Sequence, residues 1–153
     1  NYRDIIKEQF DLDMDNIPGS GAAGGLGTAL MVFLNGTLKS GIETVLDLVD
    51  FDEHLKDVDI VVTGEGTTDW QSVFGKVMQG VGVHCKKHHI PAVAIVGSMG
   101  SGAEDIFDYG IESIITTVNN IMPLSDALNH AEELYLGAAR RMFRLLKAGM
   151  QMR

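Results

Sequence analysis

The sequence predicts an α/β protein, with a parallel three-layer α/β/α half-domain of the Rossmann or flavodoxin-like type. In the second half of the chain, short runs rich in Val and Ile alternate with amphipathic segments. Apolar strands separated by helices indicate a parallel sheet that is buried on both faces, with right-handed crossovers placing helices on both sides. The 153 residues, 45% of them hydrophobic and 22% charged, are enough for a globular core.

The first half of the chain predicts helices. The segment "YRDIIKEQF" reads as a helix or a linker. The segment "LGTALMVFLNG" starts at Leu26, is almost wholly apolar and ends at Gly36, as a helix with a C-terminal glycine does. The segment "SGIETVLDLV" begins with Ser40, and Glu43 completes a capping-box pattern, which indicates another helix start.

The second half predicts three strands and three helices in alternation. The strands are the apolar runs 59–63, 92–97 and 113–118, and the helices are 72–89, 103–110 and 125–150. Three strands are too few for a complete doubly wound domain. We therefore expect the rest of the sheet to be missing from this chain or to be supplied by a partner.

Ligands of parallel α/β sheets bind at the carboxyl ends of the strands. Unusual loops follow all three predicted strands: "GEGTTDWQS" after the first, "GSMGSG" (97–102) after the second and "NN" (119–120) after the third. The "GSMGSG" loop, with Gly97 and Ser98, predicts either a phosphate-binding nest or a flexible turn.

The motif "TGEGTTDWQSVFGK" (63–76) is not a Walker A loop, which would need glycine in place of Trp70 and Ser or Thr in place of Val77. An acid-rich and hydroxyl-rich turn between a strand and a helix still suits metal–phosphate chemistry. Glu65 and Asp69 are hard oxygen ligands for Mg²⁺. Asp69 could instead take a proton from a substrate hydroxyl, or serve only as a helix cap.

Polar residues next to Glu65 and Asp69 could also take part in the predicted metal–phosphate site. The hydroxyls of Thr67, Thr68 and Ser72 can donate to an anion, and Gln71 can orient one. Lys76 would neutralise phosphate charge or simply be solvated. Trp70 would stack on a ligand or anchor the loop, and the sequence does not choose between these roles.

A second glycine-rich segment, "PGSGAAGGLG" (18–27), contains the dinucleotide pattern Gly19-x-Gly21-x-x-Gly24. The preceding residues are acidic and end in proline, so they make a poor first Rossmann strand and the NAD-binding hypothesis is weak. The preferred interpretation is a glycine loop that leads into a helix N-terminus and binds an anion. Tight helix packing through small residues is the alternative.

Charge, cysteine content and hydropathy argue against several classes of protein, namely nucleic-acid-binding, disulfide-bonded, zinc-binding and membrane proteins. The net charge is −9 without a basic stripe, which argues against a nucleic-acid surface. The single cysteine, Cys85, allows no internal disulfide, and His84, His88 and His89 do not converge with it at zinc-ligand spacing. No apolar run reaches transmembrane length, so we expect a cytoplasmic protein without a membrane partner.

Three segments, "IPGSGAAGGLGTAL", "VDIVVTGEGTTDWQSVFGK" and "PAVAIVGS", resemble the bacterial ATP-dependent glycerate kinase family, and the resemblance runs from about residue 15 to 148. It implies two α/β domains, one inserted into the other, with the active site between them. Residues 1–56 would be the C-terminal part of the inserted substrate and glycine-loop domain. Residues 57–153 would be the C-terminal half of the parallel sheet domain, and this chain alone would be inactive.

The resemblance also implies site residues. The family's glycine-rich loop matches Gly19, Ser20, Gly21, Gly24 and Gly25, and its acid motif matches Gly64, Glu65, Gly66, Asp69, Gly75 and Lys76. Many members have a basic and an apolar residue where Thr67 and Thr68 stand, so a positive charge is absent here.

The resulting hypothesis is transfer of the γ-phosphate of ATP to D-glycerate, giving 2-phosphoglycerate. Asp69, Glu65 and Lys76 are the predicted catalytic residues, and Glu65 and Asp69 are also the predicted Mg²⁺ ligands. The predicted cofactor-binding residues, with ATP as the cofactor, are Gly19, Ser20, Gly21, Gly24, Gly25, Gly64, Gly66, Thr67, Gln71, Ser72, Gly97 and Ser98. The alternative is a non-catalytic module that binds a nucleotide or sugar phosphate, and a homo-oligomer is left open.

Overall fold

The computed structural model describes residues 2–152 and divides into two compact units, Asn1–Ser40 and Gly41–Arg153. The first unit contains the helices α1 (Tyr2–Phe10) and α2 (Ala22–Leu34). The second unit contains the remaining elements, in the order α3 (Gly41–Leu48), α4 (Phe51–His54), β1 (Val61–Thr68), a 3₁₀ helix (Trp70–Val73), α5 (Val77–Lys87), β2 (Ala92–Met99), a second 3₁₀ helix (Ala103–Tyr109), β3 (Ile111–Thr116), α6 (Leu124–Asn129) and α7 (Ala131–Met150).

In the first unit, the helix expected from Leu26 is preceded by a left-handed turn. Ala23, Gly24 and Gly25 have φ of 50°, 68° and 91°, so the regular part of α2 begins after them. The helix ends at Leu34 with Asn35 in the left-handed conformation, and the N–H of Gly36 donates to Leu30 O at 2.9 Å. The stop predicted at Gly36 is therefore made by the Asn35–Gly36 pair, because asparagine also tolerates this conformation.

The second unit is built on a parallel sheet in the order β1-β2-β3. Val61 pairs with Ala92, and Ile95 pairs with Ile115. Strand β2 lies in the centre and is buried from Ala92 to Val96. Strand β1 has a strand neighbour on one side only among residues 2–152, so its other edge is unpaired.

Helices cover both faces of this sheet, which confirms the α/β fold class. On one face, Met78, Val81 and Cys85 of α5 pack with other buried residues against alternate positions of β2, namely Ala92, Ala94 and Val96. On the other face, Ala138 and Met142 of α7 pack against Val93 and Ile95. Because successive strand residues point to opposite faces, the continuous apolar run of β2 supplies both cores.

Several boundaries differ from those expected. Strand β1 continues through the predicted loop to Thr68, which pairs with Met99, because the glycines of the motif allow close pairing with β2. Helix α5 begins at Val77 instead of residue 72, because a 3₁₀ turn and Gly75, with φ of 69°, intervene. The predicted 125–150 helix breaks at His130, whose φ of −110° and ψ of 22° are not helical.

The second 3₁₀ helix, Ala103–Tyr109, ends at Gly110 as expected, with φ of 99°. Within residues 2–152, no helix combines the length and apolarity that a membrane span would need.

Candidate active site

Hydroxyl groups meet where β1 and β2 end. Thr67 Oγ1 lies 3.0 Å from Ser98 Oγ, and both residues are exposed. They occupy register-paired positions in the two strands. Two residues that the sequence predicted as cofactor contacts from separate motifs are thus neighbours at the carboxyl edge of the sheet.

Glycines are required where these two strands approach each other. A Cβ added at Gly64 would lie 2.1 Å from Ile95 O, and one added at Gly97 would lie 2.4 Å from Gly66 O. No atom lies within 4 Å of the corresponding position at Gly66. Gly64 and Gly97 therefore have a packing role of their own, and their predicted ligand contacts stay predictions.

The loops that follow the two strands are joined by backbone hydrogen bonds. Gly100 N donates to Thr68 O at 2.7 Å, and Trp70 N donates to Ser101 O at 3.0 Å. Gly102 has φ of 74°, and a Cβ there would lie 2.9 Å from Trp70 Cβ. The "GSMGSG" loop is consequently fixed against the acid motif.

Glu65 is the centre of a hydrogen-bond network with buried residues near the carboxyl end of β1. Thr68 Oγ1 donates to Glu65 Oε1 at 3.1 Å, and Ser72 Oγ donates to the same oxygen at 2.5 Å. Both hydroxyl residues are fully buried, whereas Glu65 itself is half-buried. One oxygen of Glu65 is held by the protein interior, and among the described residues the other, Oε2, has no hydrogen-bond partner.

Asp69 caps the first 3₁₀ helix. Its Oδ1 accepts from Gln71 N at 2.8 Å, and Ser72 Oγ accepts from Asp69 N at 3.2 Å. This reciprocal pair is the capping role that the sequence offered as an alternative for Asp69. The cap uses one carboxylate oxygen, so the second can still contact a ligand.

Glu65 borders two cavities of the second unit. One, of about 400 Å³, is lined by residues along β1 and β2, among them Glu65 and Gly97, by Thr117 just after β3 and by Tyr135 of α7. The other, of about 500 Å³, lies between α3 and α5, is mostly apolar and also includes Lys76. The structure thus places Glu65 and Lys76 in the lining of the same cavity.

Thr117 and Tyr135 were not among the predicted site residues. Thr117 directly follows β3, so its place at the carboxyl edge could have suggested it. Tyr135 comes from α7, and only the packing of that helix brings it here; no local sequence signal identifies it.

Trp70 combines an anchored backbone with an open ring. Its N–H bonds to Ser101 O, while the residue is 55% exposed and its ring meets Phe74 edge-to-face at 5.9 Å. The backbone anchors the loop, and the indole ring remains available to a ligand.

The cysteine and histidines of α5 lie in a different environment. Cys85 is fully buried, and burial raises the pKa of its thiol to about 11. His84 Nδ1 contacts Asp52 Oδ1 at 2.5 Å and its Nε2 contacts Glu43 Oε2 at 3.1 Å. Hydrogen bonds from Lys87, His84 and His88 hold the pKa of Asp52 far below its usual range. Across residues 2–152, no group of three or more His, Cys, Asp or Glu is arranged to hold a metal ion.

The glycine-rich loop of the first unit is folded onto the start of α2. Thr28 donates to Ser20 O through both its N–H and its hydroxyl, each at 3.1 Å. A Cβ at Gly27 would lie 2.8 Å from Gly19 O, so small residues also serve packing here. A crevice of about 330 Å³ lies beside Gly24 and Gly25 and includes Tyr2.

The fold is α/β, and the candidate site combines a carboxylate, hydroxyl groups and a lysine on the carboxyl side of a parallel sheet. A model of the glycerate kinase family matches residues 1–147. This chain therefore belongs to the glycerate kinase family.

Individual relatives agree with this assignment. The chain is 42% identical over 142 residues to a glycerate kinase of Halalkalibacterium halodurans, a match that covers 93% of the chain and 37% of the relative. It is 38% identical over 151 residues to glycerate 2-kinase of Escherichia coli K12, covering 99% of the chain and 40% of the relative.

A solved structure agrees as well. The crystal structure of a protein assigned as glycerate kinase 2 from Salmonella typhimurium LT2 superposes with a TM-score of 0.72 at 36% identity, covering 99% of this chain and 38% of that one. The chain thus spans about two-fifths of the length of these relatives.

Proposed function

We propose that the full-length gene product carrying this chain is an ATP-dependent kinase that phosphorylates D-glycerate and releases 2-phosphoglycerate. Family membership and the names of the relatives support the substrate. The observation that carries the proposal is the placement of Glu65, held from behind by two buried hydroxyls at the carboxyl edge of β1.

Phosphoryl transfer depends mainly on positioning and on neutralising negative charge. The exposed hydroxyls of Thr67 and Ser98, with the backbone of Gly66, would contact phosphate oxygens at the strand ends. Lys76 would supply positive charge at the wall that it shares with Glu65. The loop from Gly19 to Gly25 would contact phosphate or carboxylate oxygens through its N–H groups.

The donors at this edge fit Mg²⁺. They are hard oxygen ligands, and Mg²⁺ in kinases is typically held by one or two carboxylates together with substrate phosphates. Glu65 and Asp69 would be these carboxylates, each through the oxygen that the protein does not use. Bound Mg²⁺ would neutralise phosphate charge. Asp69 could alternatively orient the reacting hydroxyl of glycerate.

The unpaired edge of β1 supports a further proposal about the whole protein. A strand with unpaired N–H and C=O groups is a template for another strand. We propose that an upstream segment completes the sheet and that the division at 56/57 separates two interrupted domains in sequence. The compact units of this chain divide earlier, at 40/41, because Leu46 and Leu55 pack into the core of the sheet. On this proposal the 153-residue chain alone is inactive, and the full protein is cytoplasmic and binds neither nucleic acid nor a membrane. Its oligomeric state is left open.

A coupled assay of ADP release tests the kinase proposal. We expect ATP-dependent release that D-glycerate stimulates and that Asp69→Asn reduces. Absence of glycerate stimulation in the full-length protein, or unchanged release by Asp69→Asn, would contradict it.

The competing function is a non-catalytic module that binds a nucleotide or sugar phosphate. The hydroxyls of Thr67 and Ser98 and the N–H groups of the glycine-rich loop would bind phosphate oxygens with or without catalysis. Calorimetry on the 153-residue chain, combined with the ADP-release assay, separates the kinase from the binding module. Binding of ATP or glycerate to the chain, with no turnover by either the chain or the full-length protein, supports the module. Turnover by either protein rejects it.

A further inference from the structure

We propose that Thr68 and Ser72 are positioning residues, whose buried hydroxyls hold Glu65 Oε1 so that Glu65 presents Oε2 to the metal–phosphate group of the nucleotide. The inference rests on the proposed kinase function and deepens it. It assigns to these two residues an action through Glu65 in place of direct contact with the ligand.

Burial carries the first step of the argument. Thr68 and Ser72 are both 0% exposed, so neither hydroxyl lies on a surface that a ligand reaches. Thr68 is the last residue of β1, and Ser72 belongs to the 3₁₀ helix that follows. Two successive elements therefore direct their hydroxyls at one carboxylate from the interior side.

The direction of the hydrogen bonds carries the second step. Ser72 Oγ accepts from Asp69 N at 3.2 Å, and its own proton is then directed to Glu65 Oε1. Thr68 Oγ1 lies 3.1 Å from Glu65 Oε1 and 3.3 Å from Met78 Sδ. Because a thioether is a weak acceptor and a carboxylate a strong one, the Thr68 proton is directed mainly to Glu65.

The consequence is a carboxylate of defined orientation. With Oε1 held by two donors, rotation of the Glu65 carboxylate would break both hydrogen bonds. Its Oε2, which has no partner within residues 2–152, then faces a fixed direction, and Glu65 borders both cavities of the site. A preorganised ligand spares the reorganisation that a mobile one would need during the reaction.

The cleanest perturbation is Thr68→Val, which removes the hydroxyl at nearly constant shape, with Thr68→Ser as the conservative rescue. Substituting groups that orient a metal ligand costs about 10- to 100-fold in affinity or activity. We expect Thr68→Val to lower kcat, and to raise the Mg²⁺ concentration for half-activation, by about 10- to 100-fold each. Thr68→Ser should return kcat and the Mg²⁺ requirement most of the way to the wild-type values. Thr116→Val is the matched control, because it removes a hydroxyl that donates to Val118 O near the end of β3.

A double-mutant cycle separates positioning from mere structural support. In a Glu65→Gln background the carboxylate is already lost, so adding Thr68→Val should reduce kcat and Mg²⁺·ATP affinity no further. Equal losses in both backgrounds, or failure of Thr68→Ser to rescue, would overturn the inference. Ser72→Ala in the same cycle provides a second test should Thr68→Val fold poorly.

The design distinguishes failure of this inference from failure of the proposed function. A full-length protein without glycerate-stimulated turnover refutes the function before any variant is compared. Calorimetric binding of Mg²⁺·ATP to the four members of the cycle (wild type, Thr68→Val, Glu65→Gln and the double variant) then still tests the inference. Normal wild-type turnover with an additive cycle refutes only the positioning role.

Discussion

A single methyl group at Gly64 should push apart the two strands that carry the site. The added Cβ would lie 2.1 Å from Ile95 O, while close C–H···O contacts between strands have C···O distances of about 3.3–3.6 Å. The shortfall is about 1.2 Å. Both groups belong to backbone segments in the middle of paired strands, so no side-chain rotation relieves the contact.

The magnitude follows from two contributions. Overpacking in a well-packed interior costs about 1–3 kcal/mol. Separating the strands also weakens one or two ladder hydrogen bonds, at about 1 kcal/mol each. We therefore expect Gly64→Ala to lower the free energy of unfolding by about 2–5 kcal/mol, which at a urea m-value of about 2 kcal/mol/M shifts the midpoint by about 1–2.5 M.

Two glycines of the same motif serve as controls in urea unfolding followed by circular dichroism. Gly66 has open space at its Cβ position, so Gly66→Ala should change the free energy of unfolding by less than about 1 kcal/mol. Gly75 also has open space but has φ of +69°, so Gly75→Ala should cost about 1–2 kcal/mol. Equal effects of Gly64→Ala and Gly66→Ala would refute the close-approach argument.

Three further predictions concern other parts of the molecule. Burial lowers the pKa of His84, but its hydrogen bonds with Asp52 and Glu43 outweigh this and raise the value above its ordinary 6.5. The contribution of His84 to stability is therefore complete below pH 6.5 and is lost as pH rises through its raised pKa. The pKa of Asp52 is lowered, so the contribution of Asp52 is complete above pH 3.8 and is lost as pH falls through its lowered pKa. Urea unfolding measured from pH 6.5 to pH 9 should show the free energy of unfolding falling as pH rises, and His84→Asn should remove this pH dependence. The same pH dependence in His84→Asn as in the wild type would contradict the pairing of His84 with Asp52 and Glu43. Gly25→Ala should destabilise the glycine loop by about 1–2 kcal/mol, because Gly25 has φ of +91° and the Tyr2 ring lies 3.4 Å from the new Cβ; amide hydrogen exchange in residues 2–34 measures this, and unchanged protection would speak against it. The single tryptophan, Trp70, is 55% exposed, so the emission of the 153-residue chain should be red-shifted and quenched by iodide, whereas blue-shifted, protected emission would contradict the structure.

The strands were predictable from sequence because each starts with β-branched or apolar residues that two helical layers bury. Their limits were not. β1 extends to Thr68 because Gly64 and Gly97 permit a close approach, and glycine itself has a weak preference for strands. The break at His130 likewise left no signal, since the apolar period of 3.6 continues across it.

The proximity of the predicted site residues could be inferred from the sequence, and their hydrogen bonds only in part. Carboxyl ends of parallel strands meet at one edge, so Glu65, Thr67 and Ser98 could be placed together from their positions in the chain. Spacing alone does not show which hydroxyls are buried. Thr68 and Ser72 therefore read as ligand contacts in the sequence, and only the packing around them shows that they hold Glu65.

The most direct test of the account compares Glu65→Gln with Glu112→Gln in the full-length protein. Both change a glutamate of a parallel strand to its neutral isostere, but Glu112 is exposed at the amino end of β3, opposite the site. The measurement is Mg²⁺-dependent, glycerate-stimulated ADP release at saturating ATP. We predict that Glu65→Gln loses at least about 100-fold in kcat/KM for glycerate, as expected for removal of a transition-state charge contact, while Glu112→Gln retains wild-type activity. Similar activity of the two variants would contradict a functional site centred on Glu65.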